Sequence, residues 1–132
     1  MLAWGSWLAV GGGAAVGAWL RWGLGIALNP LFPTLPLGTL AANLVGGLLM
    51  GFAMELVTRH AMLTPELRLL VTTGFLGGLT TFSTFSAEIT TLVTRGDWLW
   101  ALAGILAHVL GSLAMTIAGI LAMRALFAWS IG

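Results

Sequence analysis

Gly74-Phe75-Leu76-Gly77-Gly78-Leu79-Thr80-Thr81-Phe82-Ser83-Thr84-Phe85-Ser86 is the stretch on which the reading of this chain turns. It lies inside a long apolar region, yet three glycines precede a run of hydroxyl residues interrupted by two phenylalanines. Gly77-Gly78 carries the highest backbone entropy cost that a helix can include. The hydroxyls from Thr80 to Ser86 can take up freed backbone groups or face a polar path. In a bilayer, non-helical backbone survives only where protein or water satisfies it. The stretch therefore predicts a helix break at Gly77-Gly78 near the midplane. Discontinuities of that kind bind ions with exposed carbonyls and amides. The competing reading is a seam of small residues between packed helices.

Composition sets the frame. The chain has 132 residues, 59% hydrophobic and 7% charged, with a mean hydropathy of +1.05. A soluble domain normally carries about a quarter charged residues, so the chain reads as an integral membrane protein. A spanning helix needs ~20 residues, and the length allows about four spans in one unit, 1–132. There is no cysteine, which excludes disulfides, thiolate metal sites and a cysteine nucleophile. The formal net charge is only +1, and no basic patch suited to nucleic acid exists. Met1 to Val10 contain no Lys or Arg, unlike the start of a secretory signal, so the first apolar segment reads as a retained span.

The expected spans follow in order. Span one runs from about Leu2 to Leu28, with Gly13 and Gly17 on one face and Arg21 one turn further along. Arg21 either anchors the interface beside Trp19 and Trp22 or lines a wet cavity. Asn29-Pro30 and Pro33 to Pro36 make a loop. Span two covers about Leu37 to Val57, with Thr39, Asn43, Gly46, Gly47 and Gly51 near one stripe. Asn43 is the only amide inside a span. Its NH₂ suits an anion, or it bonds across a helix seam. Thr64 reads as an N-cap with Pro65 at the first helical position, and His60 beside it as a solvated residue.

Span three starts near Glu66 and reaches about Thr94, long enough for two half-helices. Thr81, Thr84, Glu88, Thr91 and Arg95 form one polar stripe, with Phe82 and Phe85 on its flank. Arg95-Gly96-Asp97 is a tight turn. Span four runs from about Leu99 to Phe127. Gly104, His108, Ser112 and Thr116 repeat every four residues along it, as a seam or as a hydroxyl track. No second His or carboxylate lies at metal-ligand spacing from His108.

With the N-terminus inside, Arg59, Arg68 and Arg124 fall on one side and Arg21 and Arg95 on the other. Lys/Arg asymmetry sets orientation, so this chain is weakly directed, and an antiparallel dimer with itself is a hypothesis that follows. Its two-fold axis would place the break opposite its twin. Backbone carbonyls of Gly77 and Thr80 from two subunits would then offer four oxygens to a hard cation such as Na⁺.

Gly38-Thr39 and Asn43-Leu44-Val45-Gly46, Arg21 after a glycine-rich first span, and above all the string from Gly74 to Glu88 resemble the Fluc/CrcB fluoride channels. The resemblance spans essentially the whole chain. It implies an all-α membrane protein of four transmembrane helices with a broken third. It implies an antiparallel, dual-topology homodimer in the cell inner (plasma) membrane. Fluoride would cross through two pores, and a structural Na⁺ would sit between subunits on the carbonyls of Gly77 and Thr80. Phe82 and Phe85 would line each pore with ring edges, Asn43 would donate to fluoride, and Arg21 would draw anions into a vestibule. Thr39, Thr81, Ser83, Thr84, Glu88, Ser112 and Thr116 would complete the polar path. Gly104 departs from members that carry a larger aromatic there.

Fluoride is small and strongly hydrated, so a selective pore must replace its water with donors and positive ring edges. An inside-negative potential expels anions by ~2.3 kcal/mol per charge per 100 mV, and no phosphate-binding glycine loop is present. The alternative is a small dual-topology, proton-coupled exporter of toxic cations, which requires a deep carboxylate in span one that is absent here. A non-transporting assembly subunit would leave Asn43 and the Phe string without a role. No nucleophile, base and orienting group fall together, so the chain does not read as an enzyme.

Overall fold

The computed structural model describes residues 3–59 and 63–131. The expected start of span one at Leu2, and His60, lie outside them. The described residues are helical throughout apart from short connections, with no strand among them. Six α-helices follow in order: α1 (Trp4–Leu28), α2 (Leu37–Arg59), α3 (Pro65–Arg68), α4 (Gly77–Leu79), α5 (Phe82–Thr94) and α6 (Trp98–Ile131). A π-helical stretch, Leu69–Leu76, joins α3 to α4. The first connection is tighter than a loop, because Asn29–Leu31 closes a single 3₁₀ turn.

Glycine decides how closely these helices approach. A Cβ on Gly13 would strike Leu70 O and Phe75 N, and one on Gly17 would strike Phe75 O and Leu79 N. From the other side, Gly78 leaves no room against Ala14 O. Backbone therefore meets backbone between α1 and the Leu69–Leu79 half-helix. A second seam joins α2 to α6, where Gly51 faces Thr116 O and Gly119 faces Leu48 O. Small residues that let helices touch in this way drive association where lipid supplies no hydrophobic force. Two apolar clusters fill the remaining space, one of Ala42, Ala53, Leu76 and Leu79 and one of Phe85, Ile89, Leu92 and Ala101.

The ends are set by local chemistry. Thr64 Oγ1 accepts from Leu67 N at 3.2 Å, with Pro65 at the first helical position, as its sequence predicts. Asn29 Oδ1 accepts from Gly38 N at 2.7 Å and so caps α2 from across the turn. After α5, Gly96 takes φ +81°, Gly96 N bonds Val93 O and Asp97 N bonds Leu92 O. This paired Schellman ending needs a left-handed residue that glycine adopts without strain. At the far end of α2, Glu55 is 6% exposed and bonds Arg59 Nε at 2.6 Å and Arg124 Nε at 3.0 Å. That triad ties α2 to α6.

Two helices, Leu37–Arg59 and Trp98–Ser130, are long and apolar enough to cross a membrane. The α1 helix is 25 residues long but dilutes its apolar residues with glycine and tryptophan, and the third segment is divided. Leu113, Ile117, Leu121 and Trp129 on α6 stay exposed, an apolar face of the kind that lipid or another helix covers.

The expected break occurs, but not at the glycine pair. Gly77, Gly78 and Leu79 are helical, and the chain leaves the helix at Thr80 (φ −86°, ψ 156°) and Thr81 (φ −151°, ψ 120°). Gly78 lets α1 approach, and the two threonines carry the break. The reason lies in what receives the freed backbone groups.

Candidate functional site

A continued α-helix would pair the N–H groups of residues 81 and 84 with the carbonyls of residues 77 and 80. Instead, Thr81 N–H donates to Asn43 Oδ1 at 2.8 Å, and Thr84 N–H donates to Thr81 Oγ1 at 3.1 Å. Asn43 Nδ2 donates in return to Thr81 O at 3.0 Å. Arg21 Nε donates to Gly78 O at 3.0 Å. The break is therefore satisfied by side chains from α1, α2 and the first turn of α5. The same exchange releases the carbonyls of Gly77 and Thr80 from their helical partners.

Around this break the predicted residues divide among three cavities. The first, about 400 Å³, is lined by Asn43, Thr80, Thr81, Phe82, Phe85, His108, Ser112 and Thr116. Phe85 is buried, 7% exposed, whereas Phe82 is 76% exposed. Their centroids lie 5.4 Å apart with the rings at 65°, so an edge of one meets the face of the other. Thr116 Oγ1 donates to Ser112 O at 2.9 Å, which turns that hydroxyl proton back into its own helix. The second cavity, about 540 Å³, is lined by Arg21, Trp22, Asn29, Thr39, Thr81 and Thr84. Thr81 lines both. The third, about 350 Å³, holds Glu88, Thr91, Arg95 and Asp97 beside Pro33 and Pro36.

Thr39 and Glu88 link the second cavity to the third. Thr39 Oγ1 donates to Glu88 Oε1 at 2.5 Å, while Glu88 Oε2 is buried with no partner. Ser83 is exposed and touches the group only through Thr81 Oγ1, 3.4 Å away. Gly77 lines none of the three cavities. Among the described residues no group of three His, Cys, Asp or Glu could hold a metal ion.

Asn43 differs from the reading as an open anion donor. One N–H goes to Thr81 O and the other lies 3.0 Å from His108 Nδ1, so both of its donors are engaged. His108 itself is 4% exposed and stacks against Phe85 with centroids 4.6 Å apart. Its spacing in the sequence fits a seam or a hydroxyl track. The spacing of four that it shares with Gly104, Ser112 and Thr116 is the signal that places it in the first cavity.

The family described as CrcB-like protein, Camphor Resistance (CrcB), matches residues 8–120. A protein of Nitrosospira multiformis named fluoride-specific ion channel FluC is 61% identical over 116 residues, 88% of this chain and 91% of its own. Proteins of the same name from Pseudomonas putida and Aromatoleum aromaticum are 60% and 58% identical. Those alignments cover 87% and 91% of this chain and 91% and 92% of the relatives.

Proposed function

The chain belongs to the CrcB family, and from that premise we propose that it is a fluoride channel. It lets fluoride leave the cell down its electrochemical gradient and so lowers fluoride toxicity. The observation that carries this reading is the first cavity. There the Asn43–Thr81 clamp, two phenylalanines packed edge to face and the residues Ser112 and Thr116 converge beside a helix break. Arg21, tied to Gly78 O, presents positive charge in the adjoining cavity. It raises the local anion concentration at the entrance.

Within the cavity, water around fluoride is exchanged for ring edges, which carry the positive end of the aromatic quadrupole. Phe82 and Phe85 supply those edges. Asn43 holds Thr81, and hence the start of α5 with both rings, in place. The Thr39–Glu88 pair continues a polar route toward the third cavity. Larger halides fit this donor set less well, and chloride is excluded.

The exposed α6 face and exposed Phe82 support an assembly in which a second, antiparallel copy closes each pore, giving two pores per homodimer of four-span subunits in the inner membrane. The released carbonyls of Gly77 and Thr80 fit a structural Na⁺, since hard cations take carbonyl oxygens. One copy offers two such groups and its twin another two. The sodium would fix the subunits together. An exporter of cations is disfavoured because Glu55 is tied to two arginines and α1 carries no acid.

The reading is tested in a bacterial strain stripped of its own fluoride exporters. Expression of this chain should restore growth in fluoride, most visibly in acidic medium where HF enters. Growth no better than that of the empty strain, with the protein present in the membrane, would overturn it.

A further inference from the structure

Glu55, Arg59 and Arg124 line none of the three cavities. The two arginines reach one carboxylate, each through its Nε: Arg59 at 2.6 Å from Oε1 and Arg124 at 3.0 Å from Oε2. The donors exceed what this acceptor can take. Each guanidinium carries a fork of N–H groups, and the two together outnumber the roughly four lone-pair sites of a carboxylate. Two positive charges also face a single negative one. Glu55 is buried, whereas the arginine side chains are 43% and 58% exposed. The surplus donors and the surplus charge therefore lie at the surface.

The surplus is held in place. Glu55 binds the Nε edges, and the Arg59 guanidinium carbon lies 5.3 Å from the centre of the Phe127 ring, a cation–π distance. With the Nε edges occupied, the terminal amino edges are left to bind a further acceptor. A planar N–H fork matches the oxygens of a phosphate.

The place of the triad in the fold says which phosphate. In the up-and-down order of the helices, α1 starts where α2 and α6 end. Trp4 and Trp129 stand exposed at those ends, as tryptophans do at a membrane surface. Met54 on α2 and Leu121 and Leu126 on α6 flank the triad in sequence and are exposed. They make an apolar wall that acyl chains can cover. Glu88 and Asp97 lie in the third cavity near the start of α6, the far end from Arg124, and Glu66 Cγ lies beside Gly5 of α1.

We infer that the Arg59–Glu55–Arg124 triad is a binding site for the phosphate of an anionic phospholipid. The terminal amino groups of both arginines take the phosphate oxygens, and the acyl chains run down the exposed faces of α2 and α6. Glu55 is a positioning residue that orients the two forks. The site is separate from the conduction path and holds whether or not the chain passes fluoride.

The test uses the purified protein in a neutral detergent. Its melting is titrated with short-chain phosphatidylglycerol, with short-chain phosphatidylcholine and with inorganic phosphate. Phosphatidylglycerol should bind about fivefold more tightly than phosphatidylcholine, the preference expected of one surplus positive charge at an anionic surface. Inorganic phosphate at the same concentration should leave the melting unchanged. In the triple variant Glu55→Gln, Arg59→Gln and Arg124→Gln the triad is removed as a unit, so no buried charge is left without its partner. That variant should lose the preference for phosphatidylglycerol. Equal binding of the two lipids by the unmodified protein would overturn the proposal. So would stabilisation by inorganic phosphate equal to that by phosphatidylglycerol, which would make the ligand a free anion. A preference that persists in the triple variant would place the lipid elsewhere and overturn it too.

A second measurement needs no variant to fold. A phosphatidylglycerol with a photoreactive group near its phosphate is cross-linked to the unmodified protein in liposomes, and the labelled peptides are identified by mass spectrometry. The label should fall on the peptides that contain Arg59 or Arg124. Label confined to other peptides would contradict the assignment. Neither measurement reads fluoride flux, so failure here leaves the channel reading intact.

Discussion

The side-chain amide of Asn43 is bonded edge to edge with the peptide of Thr81, accepting from its N–H at 2.8 Å and donating to its carbonyl at 3.0 Å. A residue on α2 thereby completes the backbone of a helix 38 positions away in sequence. This pair lets the chain stop being helical at Thr80 without leaving either Thr81 group unsatisfied.

Asn43→Asp keeps the size of the side chain but sets an oxygen against Thr81 O. Asn43→Ala removes both bonds. Each buried group left without its partner costs about 1–3 kcal/mol. Both variants should melt earlier in detergent and lose most fluoride flux. Unchanged melting in Asn43→Ala would show that the clamp does not hold the break.

The glycine seams make a paired prediction. A Cβ at Gly17 would strike Phe75 O and Leu79 N, whereas one at Gly11 meets nothing within 4 Å. Gly17→Ala should destabilise by about 1–3 kcal/mol, the usual cost of overpacking. Gly11→Ala should be neutral or stabilising by up to about 1 kcal/mol through helix propensity. Denaturant melts of the two variants would check the contrast, and equal effects would contradict it.

Glu55 lines none of the three cavities and accepts from Arg59 and Arg124. Glu55→Gln should lower the melting temperature, because the carboxylate loses its charge while both arginines remain. Fluoride flux per folded protein should stay the same. A selective loss of flux with unchanged melting would mean that this triad belongs to the conduction path.

If the Gly77 and Thr80 carbonyls hold sodium between subunits, the protein should melt higher in sodium than in N-methylglucamine at equal ionic strength. Identical melting in the two would contradict the proposed cation.

Much of this was legible in the sequence because the signals were chemical. The Thr64-Pro65 cap, the Gly96 turn and the glycine faces of α1 and α2 follow from local rules. The position of the break was not, because it depends on a partner from another helix. Gly77-Gly78 carries the strongest local signal for a break, yet the break falls where Asn43 and Arg21 can receive the freed groups. The π-helical stretch Leu69–Leu76 was also missed, since apolar periodicity carries no mark of it. His108 was ambiguous for a related reason. Spacing put it on the right face, and its contact with Asn43, 3.0 Å away on another helix, has no mark in the sequence.

The most direct measurement is ion efflux from liposomes holding the purified protein, driven by an imposed voltage, with fluoride and chloride compared in the same preparation and Phe82→Ile alongside. A fluoride pore predicts rapid, voltage-driven fluoride efflux, no chloride efflux, and loss of fluoride flux in Phe82→Ile. Equal passage of chloride, or no fluoride efflux from well-folded protein, would contradict it.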